Sequence, residues 1–436
     1  MGNFIENYFQ LKENGTTIRT EITAGLVTFM TMAYIIVVNP AILQAAGIPF
    51  GPSMVATIIS AIFGTLLMGL YAKRPFAIAP YMGENAFVAY TVVGVLGYSW
   101  QTALGAVFIS GVLFTLLTIV GARELMVKAI PGNLKYSFAV GIGLFISFIG
   151  LVNSGIVTLG VQGAPVHVGP LNTSGVALAI FGLIFIGALM IRRIKGAILI
   201  GMIVTAFIGF ITGISEAPAA LVSIPPSISP IFLQLDIFGA LTWGFFAVIL
   251  TMFTMDLLDT MGTLIGASAR AGFLDENGNL PEIGKPLLSD ALATVFAGMV
   301  GTTTTGTYIE STTGIEVGGR TGLTAVVVAI LFSLALFFFP LFSAIPAAAT
   351  APALIIAGML MMSPIKRIDF DDYTEIIPAF AVIILMSFTY NIGVGLCGGF
   401  VLFPLVKVIG GRYREVHPAA WVLFVLCLLF FVFYPY

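Results

Sequence analysis

Residues 301–324 read GTTTTGTYIESTTGIEVGGRTGLT. This polar stretch lies between apolar segments, yet it contains Glu310 and an unbroken run of threonines at 302–305. It is too polar for a helix that faces lipid and too deeply embedded among apolar segments for a surface loop. At membrane depth, irregular backbone and ionisable side chains are tolerated only where protein buries them or where they line a watery cavity. We therefore interpret the stretch as half of a solute-binding site.

The composition of the chain places this stretch in a membrane protein. Of the 436 residues, 59% are hydrophobic and 9% are charged, which leaves too few charges to cover the surface of a soluble domain. A helix needs roughly 20 apolar residues to cross a bilayer, so the chain has room for about 14 crossings. The predicted fold class is an all-α polytopic membrane protein embedded in a lipid bilayer. A formal net charge of -2 and the lack of a basic tract argue against a nucleic-acid partner.

The positions of Lys and Arg predict how the chain is oriented. When the apolar segments are threaded in alternation, all 18 basic residues fall on the side of the N-terminus. These residues are Lys12, Arg19, Lys73, Arg74, Arg123, Lys128, Lys135, Arg192, Arg193, Lys195, Arg270, Lys285, Arg320, Lys366, Arg367, Lys407, Arg412 and Arg414. Because cytoplasmic loops of membrane proteins are enriched in Lys and Arg, the sequence predicts a multi-pass protein of the cell membrane with a cytoplasmic N-terminus.

The two ends of the chain are less regular than its middle. The first 22 residues contain no apolar core of a signal peptide, so we expect insertion to begin with the first span. Roughly 15 apolar stretches can be marked, one more than the expected crossings. Residues 375–409 and 417–435 hold the surplus, and the sequence leaves open whether they form two or three full spans.

Two interrupted segments indicate an internal repeat. The third apolar segment is broken by the sequence APYMGEN at 79–85, and the tenth is broken by Gly306 and its neighbouring threonines. Short segments interrupted by Gly or Pro at matching places in two halves mark the binding site of many transporters. Segments 3 and 10 match if two repeats of seven segments are joined by an external link at 214–239. Because an odd repeat length inverts the second half, the sequence predicts a 7+7 inverted repeat with short strand-like breaks in segments 3 and 10.

Each break is predicted to be a short extended run that leads into a half-helix. Threonine favours extended backbone and glycine resists helix, so a few residues of strand should precede a helix that begins near Glu310, and 82–87 should behave in the same way. Such half-helices would direct main-chain N–H groups at the bilayer centre. The main-chain groups predicted to contact a solute are those of Gly83, Ala86, Phe87, Thr307, Tyr308 and Ile309. The alternative is a Gly/Thr-rich helix that packs closely against its neighbours.

The eighth segment carries two acids. Asp256 and Asp259 are three residues apart and so lie on one face of a helix, and no basic residue within 240–268 can pair with them. An unpaired charge at the bilayer centre costs roughly 2.5 to 3.5 kcal/mol even on a lenient scale, so the protonated form is the cheaper state. A carboxyl that is protonated in one state and charged in another can couple proton movement to solute movement. The alternative for either residue singly is that it caps a broken helix or binds main-chain N–H groups.

Other polar residues lie near the break in the third segment. Asn85 has an amide that can donate and accept at once, which suits the edge of a heterocycle. Its alternative role is that of a turn residue that tolerates an unusual backbone angle. Glu84 and Glu316 are expected to face the rim of the cavity or a helix N-terminus, and no function is assigned to them.

The sequence offers no recognisable nucleophile, metal-ligand set or cofactor loop, so we expect neither an enzyme nor a bound metal or cofactor. His167 and His417 fall in predicted loops, and Cys397 and Cys427 lie inside apolar runs as small core residues. An intramembrane protease is disfavoured because two acids on one helix do not oppose each other across a peptide bond.

Four ordered motifs resemble the AzgA-like branch of the nucleobase-cation symporter family, the purine permeases of bacteria, fungi and plants within the xanthine/uracil permease superfamily. The motifs are TEITAG at 20–25 with MAYIIVVNP at 32–40, MGENAF at 82–87, DLLDTMGT at 256–263, and YIES at 308–311 with GGRTGLT at 318–324. The resemblance covers essentially the whole chain. The family often has Gly where this chain has Tyr81 and a small residue where it has Glu84, so the turn in the third segment departs from the family pattern.

The resemblance implies proton-coupled uptake of a purine nucleobase, namely guanine, hypoxanthine or adenine, with protons as the coupling ion. The purine-contacting positions carried over by motif are Asn85, Asp256 and Glu310, with Asp259 in binding or coupling. Relatives of this fold often dimerise, so a homodimer is a further expected partner. The alternative function is an anion exchanger or channel of the same fold. An anion site calls for a basic residue or bare helix N-termini at its centre, whereas this centre holds acids.

The resemblance also implies a core domain of segments 1–4 and 8–11 and a gate domain of segments 5–7 and 12–14. The expected boundaries are 1–22 for a cytoplasmic N-terminal segment, 23–136 and 240–344 for the two halves of the core, 137–213 and 345–436 for the two halves of the gate, and 214–239 for the external link.

Overall fold

The computed structural model describes residues 2–121, 130–161, 164–242, 246–275 and 280–433. Two basic residues that support the predicted orientation, Arg123 and Lys128, lie outside these described residues. The described chain is mainly helical, as its composition predicts, and its strands are short.

The first half of the chain runs from Gly2 to Ile211. Its elements are α1 (Gly2–Tyr8), α2 (Ile18–Met32), α3 (Ile35–Gln44), α4 (Phe50–Leu66), β1 (Ile78–Pro80), α5 (Met82–Ala86), α6 (Trp100–Ile119), α7 (Gly132–Asn153), β2 (Val157–Val161), β3 (Ala164–Val168), α8 (Ser174–Ile191) and α9 (Ala197–Ile211). Helix α4 continues as a π-helix over Leu67–Tyr71, and α5 continues as a π-helix over Phe87–Val95.

The second half begins with a short helix after the extended link. Its elements are α10 (Ile237–Ala240), α11 (Phe246–Ala271), α12 (Gly284–Val300), β4 (Thr305–Thr307), α13 (Ser311–Glu316), α14 (Gly322–Ala335), α15 (Phe339–Ser343), α16 (Ala347–Met361), α17 (Tyr373–Phe388), α18 (Ile392–Ile409) and α19 (Pro418–Phe433). Helices α14 and α15 are joined by a 3-10 turn at Leu336–Phe338.

Polar side chains cap several of these helices. The Thr17 hydroxyl accepts the N–H of Thr20 at the start of α2, and the Ser99 hydroxyl accepts the N–H of Thr102 at the start of α6. The carboxamide of Asn391 receives the N–H of Val394 at the start of α18. Because the first N–H groups of a helix lack partners within it, these caps fix where each apolar segment begins.

The two interrupted segments meet in a small antiparallel sheet. Strand β1 pairs with β4, so that Ile78 lies opposite Thr307 and Pro80 lies opposite Thr305. This pair confirms the strand-like breaks predicted in segments 3 and 10. In segment 3, however, the extended residues are Ile78–Pro80, and the prediction of an extended run within 82–87 is wrong because these residues are already helical. The helix predicted near Glu310 begins at Ser311, with Glu310 as the preceding residue.

A threonine from a preceding helix closes each outer edge of this sheet. The Thr65 hydroxyl of α4 donates to the Ile78 carbonyl at 3.0 Å and accepts its N–H at 2.9 Å. The Thr294 hydroxyl of α12 forms the same two bonds with Thr305, at 2.9 and 3.2 Å. A helix, a threonine bridge, a strand and a half-helix therefore recur in both halves. The antiparallel pairing turns one copy upside down relative to the other, as the predicted 7+7 inverted repeat requires.

The described helices include nine spans that are long and apolar enough to cross a membrane. Three shorter apolar helices lie at Ala197–Ile211, Tyr373–Phe388 and Pro418–Val432. Together with α12 and the two interrupted segments, they supply the expected crossings, about 14, and one further helix at the C-terminal end. The region left open by the sequence thus contains three separate helices, α17, α18 and α19.

One element was not predicted. Strand β2 pairs with β3 as an exposed hairpin, with Thr158 opposite His167. The prediction that His167 lies in a loop is therefore wrong. Valines at 166 and 168 alternate with their neighbours, and β-branched residues favour strand backbone when a partner strand is close enough to pair.

The helices pack in two groups that share a boundary. In one group, α6 packs against α12, and α2 and α4 pack against α14. In the other group, α7 packs against α16 and α17, α8 packs against α9 and α16, and α18 packs against α17 and α19. The sheet and both half-helices belong to the first group. Across the boundary, α5 contacts α7, and α11 contacts α18.

Candidate functional site

The sheet brings the starts of two half-helices together inside the first helix group. The Tyr81 N–H donates to the Thr304 carbonyl at 3.0 Å, and the Tyr308 N–H donates to the Ala77 carbonyl at 2.9 Å, which extends the ladder at both ends. Helix α5 begins directly after Tyr81. Both half-helices therefore start from a fixed, fully paired piece of backbone.

Asn85 lies in the first half-helix and is fully buried. Its side-chain carbonyl accepts the Thr303 hydroxyl, which comes from the threonine run before β4. Its amide nitrogen Nδ2 is buried and forms no hydrogen bond with a described residue. The Thr303 hydroxyl therefore fixes the orientation of the Asn85 amide. With its oxygen bonded to Thr303, the amide points its buried Nδ2 donor away from that residue.

Glu310 precedes the second half-helix and is half-buried. It does not cap α13; instead, its Oε1 accepts the Tyr34 hydroxyl at 2.6 Å. Tyr34 lies where α2 gives way to α3. The neighbouring Ile309 is 50% exposed, so Glu310 stands at the accessible edge of the site, while Asn85 stands at its buried end.

The acids of α11 face the same region at two depths. Asp256 is buried and accepts a hydrogen bond from the Thr260 hydroxyl at 3.1 Å. Asp259 is half-buried, close to the exposed Gly262. The two residues predicted to share one helical face therefore do so, with Asp259 nearer to the accessible side.

A third acid was missed by the sequence analysis. The Thr260 hydroxyl also lies 2.9 Å from Oδ2 of Asp290, a buried residue of α12. The Tyr81 hydroxyl is 3.3 Å from the same Thr260 oxygen. Asp290 could have been noticed as an ionisable residue inside an apolar segment, which is the signal that selected Asp256.

Two buried tyrosines stack beside the sheet. The rings of Tyr81 and Tyr308 stack with centroids 6.2 Å apart and planes within 6° of parallel. The Tyr308 hydroxyl donates to the Pro80 carbonyl. Gly306 lies beneath the Tyr81 ring, and a Cβ atom there would collide with the ring. The glycine in the threonine run is thus explained by the space that Tyr81 occupies.

The predicted main-chain contacts fall into two sets. Gly83, Ala86 and Phe87 are buried in the first half-helix, and a Cβ atom at Gly83 would lie 2.8 Å from Ile142 of α7. Thr307, Tyr308 and Ile309 pass from strand to half-helix. Because the Tyr308 N–H is taken by the sheet, its carbonyl is the group left for a solute, but that carbonyl also accepts from Ser311. Ile309 is the exposed member of the six.

The residues that follow the second half-helix make packing contacts. Arg320 donates to the Ile315 carbonyl at 2.8 Å, at the end of α13. Glu21 of α2 accepts the Arg320 N–H at 2.9 Å and the Thr324 hydroxyl at 2.6 Å, at the start of α14. These contacts hold α13 and α14 against α2. The motif residues at 318–324 are therefore accounted for by the fold.

The two glutamates given no function lie in different surroundings. Glu84 is fully buried in the first turn of α5, so of the two places expected for it the structure shows the helix N-terminus and not the rim of a cavity. Glu316 lies at the C-terminal end of α13, where Lys195 and Arg270 pair with it at 3.4 and 3.1 Å. The expectation that Glu316 lies at a helix N-terminus is wrong, because it is the last residue of α13. The carboxylate is stabilised there by its two basic partners.

The charge at the site is acidic. Glu310 and Asp259 form no ion pair with any residue in the described ranges, and those ranges contain no group of three or more His, Cys, Asp or Glu side chains that could hold a metal ion. A separate cleft of about 510 Å³ lies between α3 and α16, lined by Val38, Gln44 and Thr350 among others, and none of the site acids lines it.

Comparison with known proteins places this geometry in a family. The profile of the Permease family matches residues 19–432. The guanine/hypoxanthine permease PbuO of Bacillus subtilis is 44% identical over 97% of this chain and 99% of its own length. The adenine permease AdeQ of Escherichia coli is 42% identical over 95% of this chain and 93% of its own length.

The fold also has a counterpart among solved structures. The transmembrane domain of the cyanobacterial bicarbonate transporter BicA matches 87% of this chain and 96% of its own length, with a TM-score of 0.62 and 16% identity. This likeness extends over both halves of the chain and agrees with the 7+7 inverted repeat deduced from the sheet.

Proposed function

This chain belongs to the Permease family, and we propose on that premise that it takes up purine nucleobases across the cell membrane in symport with protons. Transport of a purine nucleobase is supported by its relatives, which are named as guanine/hypoxanthine and adenine permeases. We infer from the chemistry of the site that the solute is a planar heterocycle and that the coupling ion is a proton.

The observation that carries the proposal is the pairing of a buried donor with an accessible carboxyl at the sheet. Asn85 Nδ2 has no partner among the described residues, and Glu310 is held by the Tyr34 hydroxyl through one oxygen, Oε1. A purine edge presents ring N–H donors beside ring-nitrogen or carbonyl acceptors. A donor and a carboxyl acceptor held by two half-helices match such an edge, and the tyrosine pair gives its flat faces an apolar wall.

The acids supply a means of coupling. Asp256 is buried and Asp259 is half-buried on the same helix, and α11 contacts both the sheet and α18 of the other helix group. A carboxyl in such a position is neutral when it holds a proton, and keeping it ionised costs free energy. We propose that Asp256 contacts the purine and that Asp259 exchanges protons with water, so that solute and proton move together.

The packing supports a division into a core domain, 23–136 with 240–344, and a gate domain, 137–213 with 345–436. The sheet and half-helices lie in the proposed core, and the contacts of α5 with α7 and of α11 with α18 cross to the proposed gate. Transporters with inverted repeats expose their site alternately by rocking one such domain against the other. We propose that the N-terminal face is cytoplasmic; a homodimer stays a prediction from related folds.

A second candidate is anion exchange, because the solved structure of similar fold is a bicarbonate transporter. The acids argue against it. An anion held near Asp256, Asp259 and Glu310 would be repelled by every ionised member of the set, and a cation that could offset this lies on neither half-helix.

The proposal is tested by uptake of radiolabelled guanine, hypoxanthine and adenine into cells that lack their own purine carriers. We expect saturable uptake of at least one purine, its loss when a protonophore collapses the proton gradient, and no competition by bicarbonate or sulfate. Purine uptake that ignores the proton gradient would contradict the coupling, and anion uptake without purine uptake would favour the second candidate.

A further inference from the structure

Glu84 is a buried acid that the mechanism above does not use. Its side chain is 0% exposed, and neither carboxyl oxygen receives a hydrogen bond of ordinary geometry from a described residue. Its own main-chain N–H lies beside it but outside that geometry. An ionised carboxylate in such surroundings would lose its hydration without gaining a donor, which is among the most costly arrangements a protein can hold.

The groups around Glu84 are acids or neutral side chains. Helix α5 packs against α3, α7 and α11. Asp256 and Asp259 of α11, Asp290 of α12 and the Tyr308 hydroxyl are close enough to interact with its charge.

The basic residues on the helices that pack against α5 lie near the ends of those helices. Lys135 lies in the first turn of α7 and Arg270 in the last turn of α11, whereas α3 carries no ionisable side chain. Repulsion by neighbouring acids therefore adds to the cost of burial, and both favour a neutral Glu84.

The hydrogen bonds at Thr260 indicate independently that this region holds a proton. A hydroxyl carries one hydrogen and gives one full-strength bond. The Thr260 oxygen nevertheless lies at hydrogen-bond distance from Asp256 Oδ1, 3.1 Å, and from Asp290 Oδ2, 2.9 Å. If Thr260 donates at full strength to one carboxyl, a proton on the other carboxyl, donated to the Thr260 oxygen, completes the second bond.

We propose that Glu84 is a proton-binding residue of this carrier, distinct from the solute-contacting residues Asn85, Asp256 and Glu310. The inference rests on the proposed function, since it assigns a further proton to the same transport cycle. Glu84 holds the proton on a carboxyl oxygen in the conformation described here. When the domains move and water reaches the region, the O–H bond breaks, and the half-buried Asp259 carboxylate accepts the proton and passes it to water.

The described acids around Glu84 do not form a carboxylate-rich metal site. The described residues contain no set of three His, Cys, Asp or Glu side chains placed to coordinate a metal, although several acids lie close together. A proton needs no such coordination shell, because a single carboxyl oxygen holds it.

The first test uses purified, purine-free protein and infrared difference spectroscopy over a range of pH. The parent should show a carboxylic-acid C=O band that is absent from Glu84→Gln and that disappears as pH rises. Glu84→Leu, which cannot mimic a carboxyl, should lack the same band. An identical set of carboxylic-acid bands in the parent and in both variants would overturn the proposal.

The second test measures protons per purine in proteoliposomes, from the purine gradient that balances an imposed pH gradient. Glu84→Gln should bind purine but couple one proton fewer, so that accumulation falls about 10-fold for each unit of pH difference. Glu316→Gln, which changes an exposed acid at the end of α13, should couple like the parent.

The two ideas fail in different ways. If the parent transports purine and Glu84→Gln couples as many protons as the parent, the role of Glu84 is wrong while purine transport stands. If the parent transports no purine but the infrared band depends on Glu84, purine transport is wrong while the proton-binding residue stands.

Discussion

Glu310 stands where an extended strand gives way to a half-helix, and one of its oxygens is held by the Tyr34 hydroxyl. A purine N–H that meets the other oxygen gains a charge-assisted bond, and leaving such a group mispaired costs roughly 1.5 to 3 kcal/mol. Glu310→Gln replaces one acceptor by a donor. We expect purine affinity to fall about 10-fold to 150-fold.

Isothermal titration of guanine, hypoxanthine and adenine into purified protein measures this effect. Glu310→Asp keeps the charge and shortens the reach, so it should weaken binding less than Glu310→Gln. Glu316→Gln is the matched control, because it removes an acid from the same half-helix away from the sheet. Unchanged binding of all three purines by Glu310→Gln at every pH would make this residue structural.

At the residue scale, the sequence predicted the side chains with unusual chemistry and missed those whose importance depends on a partner. Asn85, Asp256, Asp259 and Glu310 stand out as polar groups in apolar segments. Tyr34 is an ordinary residue of an apolar span until the fold places its hydroxyl beside Glu310, which is 276 positions away. The solute contacts predicted for Asn85, Asp256 and Glu310 stay predictions.

At the scale of elements, the turn in the third segment depends on a glycine in the tenth. A Cβ atom at Gly306 would overlap the Tyr81 ring, so Gly306→Ala must displace a ring that stacks on Tyr308 and contacts Thr260. Overpacking of this kind costs roughly 1 to 3 kcal/mol. We expect a lower midpoint of thermal unfolding and weaker purine binding.

Gly175→Ala is the matched control, since a Cβ atom there meets nothing within 4 Å on helix α8. Unfolding followed by scanning fluorimetry and purine binding would be compared for both variants. A Gly306→Ala protein with the stability and affinity of the parent would show that Tyr81 does not need this space.

An ion-pair cluster joins α17 to the turn before α19. Hydrogen bonds from Arg412, and then from Thr374, hold the pKa of Asp372 at about 2, and bonds from Arg412, and then from Lys407, hold the pKa of Glu415 at about 2. Both pKa values are lowered by folding. Their contribution to stability is therefore complete above the ordinary carboxyl range and is lost as pH falls through that range towards 2.

Arg412→Gln tests whether this ion-pair cluster loses its stabilising effect as pH falls. It should lower the midpoint of thermal unfolding at pH 7, and the difference from the parent should shrink at pH 3. Arg414→Gln is the control, because the Arg414 side chain bonds to the neighbouring Tyr413 rather than to either carboxyl. A difference that grows on acidification would contradict the assignment.

The elements themselves were partly predictable. Threonine and glycine in place of helix formers predicted the strand break in segment 10 and a helix that begins near Glu310. In segment 3 the same argument put the extended run at 82–87, whereas the strand lies earlier, at Ile78–Pro80. The hairpin of β2 and β3 was missed because a five-residue strand gives a weak pattern, and its stability depends on the partner strand. The threonine bridges from Thr65 and Thr294 require the position of the sheet and cannot be read from sequence.

At the scale of the molecule, the one-sided placement of Lys and Arg predicts the orientation. A reporter inserted after Arg192, between α8 and α9, should be cytoplasmic, and one inserted in the β2–β3 hairpin should be external. Cysteine labelling with an impermeant reagent at the same two positions provides an independent readout. The opposite pattern of labelling would contradict the threading of every span.

The 7+7 repeat was predicted from the odd number of segments between two breaks, because an odd count reverses direction. Which helices pack together could not be derived from the sequence, since all of them are apolar and lipid provides no contrast between a buried and an exposed Leu. The resemblance to a family supplied the division into a core and a gate domain, which stays a prediction; the structure itself shows α6 packed on α12 and α7 packed on α16.

The central claim is that a proton gradient drives a purine through this protein. The direct measurement places purified protein in proteoliposomes with an alkaline interior and follows labelled guanine, hypoxanthine and adenine. The parent should concentrate at least one purine inside, and a protonophore should abolish the accumulation. Asp259→Asn, which keeps size but cannot exchange a proton, should fail to concentrate purine. Equal accumulation with and without the proton gradient, or in Asp259→Asn as in the parent, would contradict proton-driven transport.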